Sequence, residues 1–319
     1  MRAGTLRRRL AVGIRIAVAA ASAAAGSSVA RAESLPSAGA GALPPAAMPA
    51  RRAPALRVDF ISVGQGDAAL ITSPTGKTVL VDGGPREAAG ELVAFLRGRG
   101  VGPIDLVVLT HRHADHLGGL ATVVRVVGVK MFMDAPFPHP SSAYTGLLAA
   151  LEAAAVPVRS AERGRTVDLG GGATITLLTP PEPPIVGSRS DVNTNSVVMR
   201  LDYGATGVLF AADAEAKTED WLLGHGARLA ADVLKVAHHG GKYSSTARFL
   251  RAVRPRVAIV SAGEGNDYGH PAPRTVEALA RVPARVYRTD RDGTITVESD
   301  GARIEVRTAA GNREILAAP

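Results

Sequence analysis

Hydrophobic and polar positions alternate in short blocks along most of the chain. From residue 56 the blocks are β-branched runs at 56–63, 68–72 and 78–81, and Ser73-Pro74-Thr75-Gly76 joins the last two as a turn sequence, which predicts an antiparallel meander. A helix is predicted over 86–98, where Leu92, Phe95 and Leu96 share a face and Gly98 and Gly100 stop it. The almost wholly apolar run 104–110 reads as a strand covered on both faces. Beyond it the pattern predicts helices at 117–127 and 141–154 around a strand at 129–133. The second half repeats this grammar, with strands at 156–158, 173–179, 196–203, 206–211, 232–237 and 257–261 and helices at 215–223, 245–253 and 273–280. Strands at 285–288, 293–298 and 303–307 close the chain, the last two linked by Asp300-Gly301, and the final dozen residues show no clear element. Meanders that hand over to strand–helix alternation predict an α/β fold, with mixed sheets and helices packed outside them. One such domain is expected over 56–308, followed by a tail at 309–319.

The first 55 residues follow a different pattern. Arg7, Arg8 and Arg9 precede an Ala/Val/Ile-rich run at 10–25, and Ala30-Arg31-Ala32 follows, which is the basic, apolar, small-residue order of a secretory signal over 1–32. Arg15 interrupts the apolar run, and its Ala/Gly/Ser content is low in hydrophobicity for a membrane span. An exported protein is therefore expected, periplasmic or extracellular, without stable membrane insertion once the signal is cleaved; the adjacent arginines leave a twin-arginine route open. Residues 33–55 are rich in Ala, Pro and Gly, a disordered-linker composition.

Charge changes meaning with that boundary. The whole chain of 319 residues carries a formal +8, but six of its 37 basic residues, and none of its 29 acids, precede Glu33. The remainder is near neutral, so net charge does not argue for nucleic-acid binding. The absence of cysteine excludes disulfides, thiolate ligands and a cysteine nucleophile.

Candidate chemistry concentrates where the buried strand 104–110 ends. His111, His113, Asp115 and His116 fall within six positions, and this hexapeptide holds three of the eight histidines in the chain. On an extended segment His111 and His113 project the same way, while Asp115 and His116 fall where a helix begins. Imidazoles with a carboxylate can serve two adjacent cations and suit Zn, Mn or Fe better than Ca or Mg. Asp82, before Gly83-Gly84, is read either as a partner of a ligand histidine or as the organiser of its own turn. His139, between two prolines, and His225 read as loop residues.

The stretch Thr110-His111-Arg112-His113-Ala114-Asp115-His116-Leu117-Gly118-Gly119 resembles the signature of the metallo-β-lactamase superfamily of hydrolases. Val63-Gly64-Gln65-Gly66-Asp67-Ala68, Leu80-Val81-Asp82-Gly83-Gly84, Asn193-Thr194-Asn195-Ser196, Ala212-Asp213, Ala237-His238-His239-Gly240 and Tyr268-Gly269-His270-Pro271 resemble, in the same order, the hydrolase domain of the ComEC family of competence DNA-uptake proteins. The resemblance implies a four-layer αββα sandwich and two divalent metal ions, Zn or Mn. It assigns His111 and His113 to one metal, Asp115 and His116 to the second, Asp213 as the bridge, and His270 as the last ligand. His238 and His239 follow a strand too, so one of them could ligate instead; chain order favours His238 as the residue that protonates the leaving oxygen or contacts phosphate. Where many members carry a third histidine for the first metal, this chain offers Asn193 and Asn195.

The implied activity is a phosphodiesterase or nuclease in which a metal-bridging hydroxide attacks phosphorus, with His238, His239 and Asp115 at the reacting group. The substrate would be a phosphodiester, DNA among the candidates. Asn195 is a candidate contact to it, and Lys242, Ser244 and Ser245 are placed at an expected helix start where backbone N–H groups could cradle phosphate, N-capping being the alternative for the two serines. Two competing functions are a metallo-β-lactamase-type amidase and a non-catalytic module that binds DNA or wall polymer. Oligomeric state is not legible.

Overall fold

A computed structural model describes residues 55–317; the signal-type segment and the linker up to residue 54 lie outside the described residues, as do 318–319. The first half forms β1 (Leu56–Phe60), β2 (Ala69–Thr72), β3 (Thr78–Val81), β4 (Leu106–Leu109), β5 (Phe132–Asp134) and β6 (Val158–Ser160). A second set follows, β7 (Thr166–Gly170), β8 (Ala173–Leu177), β9 (Met199–Tyr203), β10 (Thr206–Phe210), β11 (Val233–Lys235), β12 (Val257–Val260) and β13 (Arg285–Arg288). The chain then returns to the first sheet with β14 (Ile295–Ser299), β15 (Arg303–Thr308) and β16 (Arg313–Ala317). The helices are α1 (Ala89–Gly98), α2 (Ala114–Leu117), α3 (Leu120–Val126), α4 (Ser142–Ala153), α5 (Asp191–Thr194), α6 (Ala216–Gly224), α7 (Ala247–Val253), α8 (Pro273–Ala280) and α9 (Thr289–Asp292).

Two mixed sheets result, ordered β16-β15-β14-β1-β2-β3-β4-β5-β6 and β13-β12-β11-β10-β9-β8-β7. The expected meander is present, with β1–β2 and β2–β3 antiparallel. Pairing becomes parallel from β3 through β6 in the first sheet and from β10 through β13 in the second, where helices supply the crossovers. The sheets face each other across a core in which Phe60 of β1 and Phe210 of β10 stack at 5.7 Å between ring centroids. Residues of α1, α3 and α4 pack on the outer face of the first sheet, and residues of α6, α7 and α8 on that of the second. The layers therefore run helix, sheet, sheet, helix, with the purely apolar β4 (Leu-Val-Val-Leu) buried on both faces.

Local differences from the pattern reading have physical causes. The helix expected over 117–127 is the shorter α3, preceded by the separate turn α2, and between them Gly119 N leaves the helical ladder to bond Gly84 O. The helix expected from residue 245 starts at Ala247, with Thr246 as N-cap, its side chain accepting from Phe249 N. β7 was missed because its exposed face carries Thr166 and Asp168 beside Gly170. The tail at 309–319 is corrected too: Arg313–Ala317 adds an antiparallel edge strand to β15. Among the described residues no helix is long and apolar enough to cross a membrane.

The parallel strands carry the chemistry at their C-terminal ends. His111 follows β4, Asp213 follows β10, the His238-His239 pair follows β11, and His270 follows β12. A rigid sheet end with accessible loops is where α/β folds hold reactive side chains.

Candidate metal centre

Asp213 lies at the middle of the site, buried on the loop after β10, directly after Ala212 at φ +47°. Its Oδ2 is 3.6 Å from His111 Nε2, and its Oδ1 is 3.4 Å from His116 Nε2 and 3.8 Å from His239 Nε2. Two groups of donors meet around it: His111, His113 and Asp213 form one, and Asp115, His116 and His239 the other, each with its ligand atoms within 4.8 Å of one another.

The rings are aimed from behind. Asp82, at φ +59°, accepts from Thr110 N (2.8 Å) and Thr110 Oγ1 (2.7 Å), and its Oδ2 lies 2.8 Å from His116 Nδ1. Thr110 Oγ1 spends its one proton on Asp82, so it accepts from His111 Nδ1 at 3.1 Å. One buried carboxylate thereby orients both rings, directly and through Thr110, with each Nε2 facing Asp213. His239 is aimed in the same way: Nδ1 donates to Ser261 O at 3.1 Å and lies 3.4 Å from Asp67 Oδ1, while Asp67 Oδ2 accepts from the buried Lys235 Nζ at 2.7 Å. Asp67 and Lys235 are functional residues that the sequence reading did not single out.

Backbone geometry supports the same placement. His238 and His239 both sit in the left-handed region, at φ +51° and +53°, which costs on the order of 1–3 kcal/mol per residue and sends the two rings apart, 6.2 Å between centroids. Gly66 is required by close approach, since a Cβ there would run into the carbonyl oxygen of Asp115. Asp67 N donates to that same carbonyl at 3.1 Å, which fixes the start of α2.

The electrostatics favour positive charge among the donors. Burial by itself disfavours charge on Asp213, yet His116, His239 and His111 hold its carboxyl well below the usual range. His239 is raised to about 10: burial opposes its charge, and Asp67 and Asp213 outweigh burial. His116 is raised for the same reason by Asp213, Asp115 and Asp82, whereas burial and the neighbouring His116 push His111 well down. Buried protons on His116 and His239 thus compensate the carboxylates, and a divalent cation would replace them. His116 Nε2, His239 Nε2 and Asp213 Oδ1 are buried without a hydrogen-bond partner, although buried polar atoms rarely go unpaired. Three imidazole or carboxylate donors per group suit a borderline divalent cation. The residues present fit metal ions.

The structure brings together His111, His113, Asp115, His116, Asp213, His238 and His239. His270 lies outside both donor groups; His239, 3.2 Å from Asp115 Oδ2 through Nε2, occupies the place expected of it. His270 instead stacks between His239 (6.2 Å) and Tyr268 (5.9 Å), and burial together with the charges of His239 and His238 lowers it to about 4. The half-buried His238 points Nε2 at Asp213 Oδ2, 3.7 Å away, and Nδ1 at Glu215 Oε1, also 3.7 Å. His139, read as a loop residue, packs edge-on against His113 at 5.1 Å.

Three expected substrate contacts are corrected. Asn195 is buried, and its amide closes the preceding loop by donating to Ile185 O and Asp191 O and accepting from Ile185 N. Asn193 is the one at the centre, with Nδ2 3.3 Å from His238 Nε2. Ser244 and Ser245 are buried short of α7, and the backbone N–H groups of Ser245 and Thr246 are taken by the carboxylate of Glu219, which burial raises to about 7. No free cradle of N–H groups exists there; of the three residues only Lys242 is exposed.

Comparison with known proteins extends this geometry. A family model described as the metallo-beta-lactamase superfamily matches residues 61–264. The chain is 30% identical over 261 residues to ComE operon protein 3 of Bacillus subtilis, covering 75% of this chain and 32% of that protein. It is 31% identical over 267 residues to Recombination protein 2 of Haemophilus influenzae, covering 80% of this chain and 30% of that one. The chain thus spans about a third of the length of these curated relatives. Among solved structures it is similar in fold to the metallo-beta-lactamase fold protein YhfI from Bacillus subtilis, with a TM-score of 0.52 at 16% identity, covering 77% of this chain and 99% of that one.

Proposed function

Because the chain belongs to the metallo-β-lactamase superfamily of metal-dependent hydrolases, we propose that it is a phosphodiesterase or nuclease that works with two divalent cations, Zn or Mn. One observation carries the reading: two donor groups meet at Asp213, a member of one and 3.4 Å from His116 Nε2 of the other, with unpaired buried donor atoms facing one another and a further histidine, His238, beside them outside both groups.

Divalent cations held by His111, His113 and Asp213 and by Asp115, His116, His239 and Asp213 would acidify water and neutralise charge on phosphoryl oxygens. The protein's own residues do the rest. Asp82 and Thr110 fix His116 and His111, Ser261 and Asp67 fix His239, and none of these rings is free to turn. His238 is placed beside the reacting group, its Nε2 3.7 Å from Asp213 Oδ2 and 3.3 Å from Asn193 Nδ2, to contact a phosphoryl oxygen or pass a proton to the leaving oxygen. The half-buried Asp115 and His113 mark the face from which substrate enters. A relative named for recombination supports a polynucleotide among the substrates, and the basic, apolar, small-residue order of residues 1–32 supports action outside the cytoplasmic membrane.

The test is turnover of bis(p-nitrophenyl) phosphate and single-stranded DNA by the purified protein with Mn or Zn added. Both should be cleaved, His113→Ala should abolish cleavage, and nitrocefin should stay intact. No turnover with any divalent metal would overturn the reading.

A further inference from the structure

Beside the metal centre, on the His238 side, lies an open cavity of about 360 Å³ walled by the loop 242–247 and by residues of α6 and α8. Arg189, Lys217, Lys242, Arg274 and Arg281 line it, all exposed, against two acids, Glu215 and Glu277. Glu215 faces His238, so the cavity shares a wall with the centre. Among the described residues Arg189, Lys242, Arg274 and Arg281 form no ion pair; Lys217 donates to Gly187 O. This local excess of positive charge contrasts with the near-neutral balance of residues 33–319. Unpaired cations crowded around a concavity repel one another and are relieved by a polyanion.

The cavity also has an aromatic wall. Tyr243 is 37% exposed, with the Arg189 guanidinium 3.8 Å and the Lys242 ammonium 5.1 Å from its ring centroid. On the other side of the centre a groove of about 720 Å³ includes Asp115 and Tyr268, the latter 72% exposed and stacked on His270. Exposed aromatic faces set among cations suit nucleobases, which have a π-face to offer; a sugar–phosphate wall polymer has none.

We propose that this cavity is a second phosphate-binding site that takes the chain of a single-stranded polynucleotide a few nucleotides from the bond being cut, with Tyr243 stacking a base. The site makes the enzyme selective for oligomers over small diesters, because an oligomer can occupy the donor centre and the cavity at once. The proposal rests on the phosphodiesterase reading for the chemistry at the metals, but the binding it asserts is independent of turnover.

The experiment has a binding arm and a kinetic arm. In fluorescence anisotropy without added metal, a labelled single-stranded 20-mer should bind the full chain more weakly by about tenfold or more after Arg274→Glu/Arg281→Glu. The slope of log K against log salt should fall by roughly 1.4, the share of two phosphate contacts on single strands. Tyr243→Ala should cost a further severalfold, and inorganic polyphosphate of matched charge should compete less well than the oligonucleotide. In the kinetic arm, with Mn present, the ratio of kcat/KM for the 20-mer to that for bis(p-nitrophenyl) phosphate should fall by about tenfold in the double variant. Oligonucleotide affinity and salt slope indifferent to the double substitution would overturn the site. Equal competition by polyphosphate, with no effect of Tyr243→Ala, would overturn the assignment to a polynucleotide. Absence of diester turnover in the unmutated protein would count against the phosphodiesterase reading alone, because the anisotropy arm still decides the cavity.

Discussion

Around Asp213, the Asp115/His116/His239 group and the His111/His113 group draw on different amounts of supporting structure. In the first, His116 and His239 are fully buried and each ring is held from behind, by Asp82 or by Ser261 and Asp67, so that both Nε2 atoms are left without a partner. In the second, His111 Nε2 lies 3.1 Å from His113 Nδ1, and the Asn193 amide lies against His238, which faces the same Asp213 Oδ2 as His111. The first group holds its donor atoms already aimed at one another, and a divalent cation there would satisfy them. The second spends its lone pairs partly on itself and must rearrange to bind. Preorganisation of this kind raises affinity by removing the ordering cost at the moment of binding. The two positions should therefore differ in affinity, the supported one filling first, while each group turns one half-buried donor, His113 or Asp115, toward the side where substrate must arrive.

The largest test removes one donor from each side. His239→Ala should lose the tighter metal equivalent by elemental analysis and cut diesterase kcat/KM on the order of a thousandfold, a barrier change of a few kcal/mol. His113→Ala should lose the weaker equivalent and keep the tighter one. If His113→Ala emptied the protein of metal while His239→Ala did not, the ranking of the two groups would be reversed. A smaller effect separates their supports. Asp82→Asn reaches both rings, one directly and one through Thr110, and should weaken both equivalents by roughly 10–100-fold. Thr110→Val touches only His111 Nδ1 and the Asp82 carboxylate, so its loss, about tenfold, should fall mainly on the weaker equivalent. Equal losses at both equivalents in the two variants would remove the distinction.

What the sequence shows of this centre follows from distance along the chain. The hexapeptide 111–116 declares itself because its donors are neighbours, and β4 before it is legible because four consecutive apolar residues admit few alternatives. Asp213 and His239 are single residues, visible only through a family resemblance, and nothing local decides between His239 and His270, both of which follow parallel strands. The decision comes from backbone: consecutive left-handed residues at 238 and 239 turn one ring inward and the other out. Asn193 and Asn195 differ in the same way, two positions apart, one facing His238 and the other closing its loop. Lys235 and Asp67 pair across 168 positions in the chain, a separation that periodicity cannot register. The helix at 245 was misplaced because the Glu219 carboxylate, supplied by α6, takes the N–H groups of Ser245 and Thr246 before the helical ladder begins at Ala247.

The smallest test adds to the weaker side instead of subtracting from it. Asn193 has a buried Oδ1 without a hydrogen-bond partner, and its Nδ2 is 3.3 Å from His238 Nε2, which is 3.7 Å from the Asp213 oxygen that also faces His111. An amide oxygen is a weak ligand for zinc; an imidazole nitrogen is a strong one. Asn193→His should therefore tighten the weaker zinc equivalent by about tenfold in a competition titration and leave the tighter one where it was. The larger ring must fit a buried position, which costs about 1–3 kcal/mol of stability, so a lower Tm without metal, partly recovered on adding zinc, is part of the expected result. Turnover should change little or fall, since a more tightly held cation exchanges its ligands more slowly. A weaker equivalent that stays unchanged in Asn193→His, in a protein that is still folded, would mean that this edge is not short of a ligand and that the asymmetry between the two groups lies only in how their rings are held.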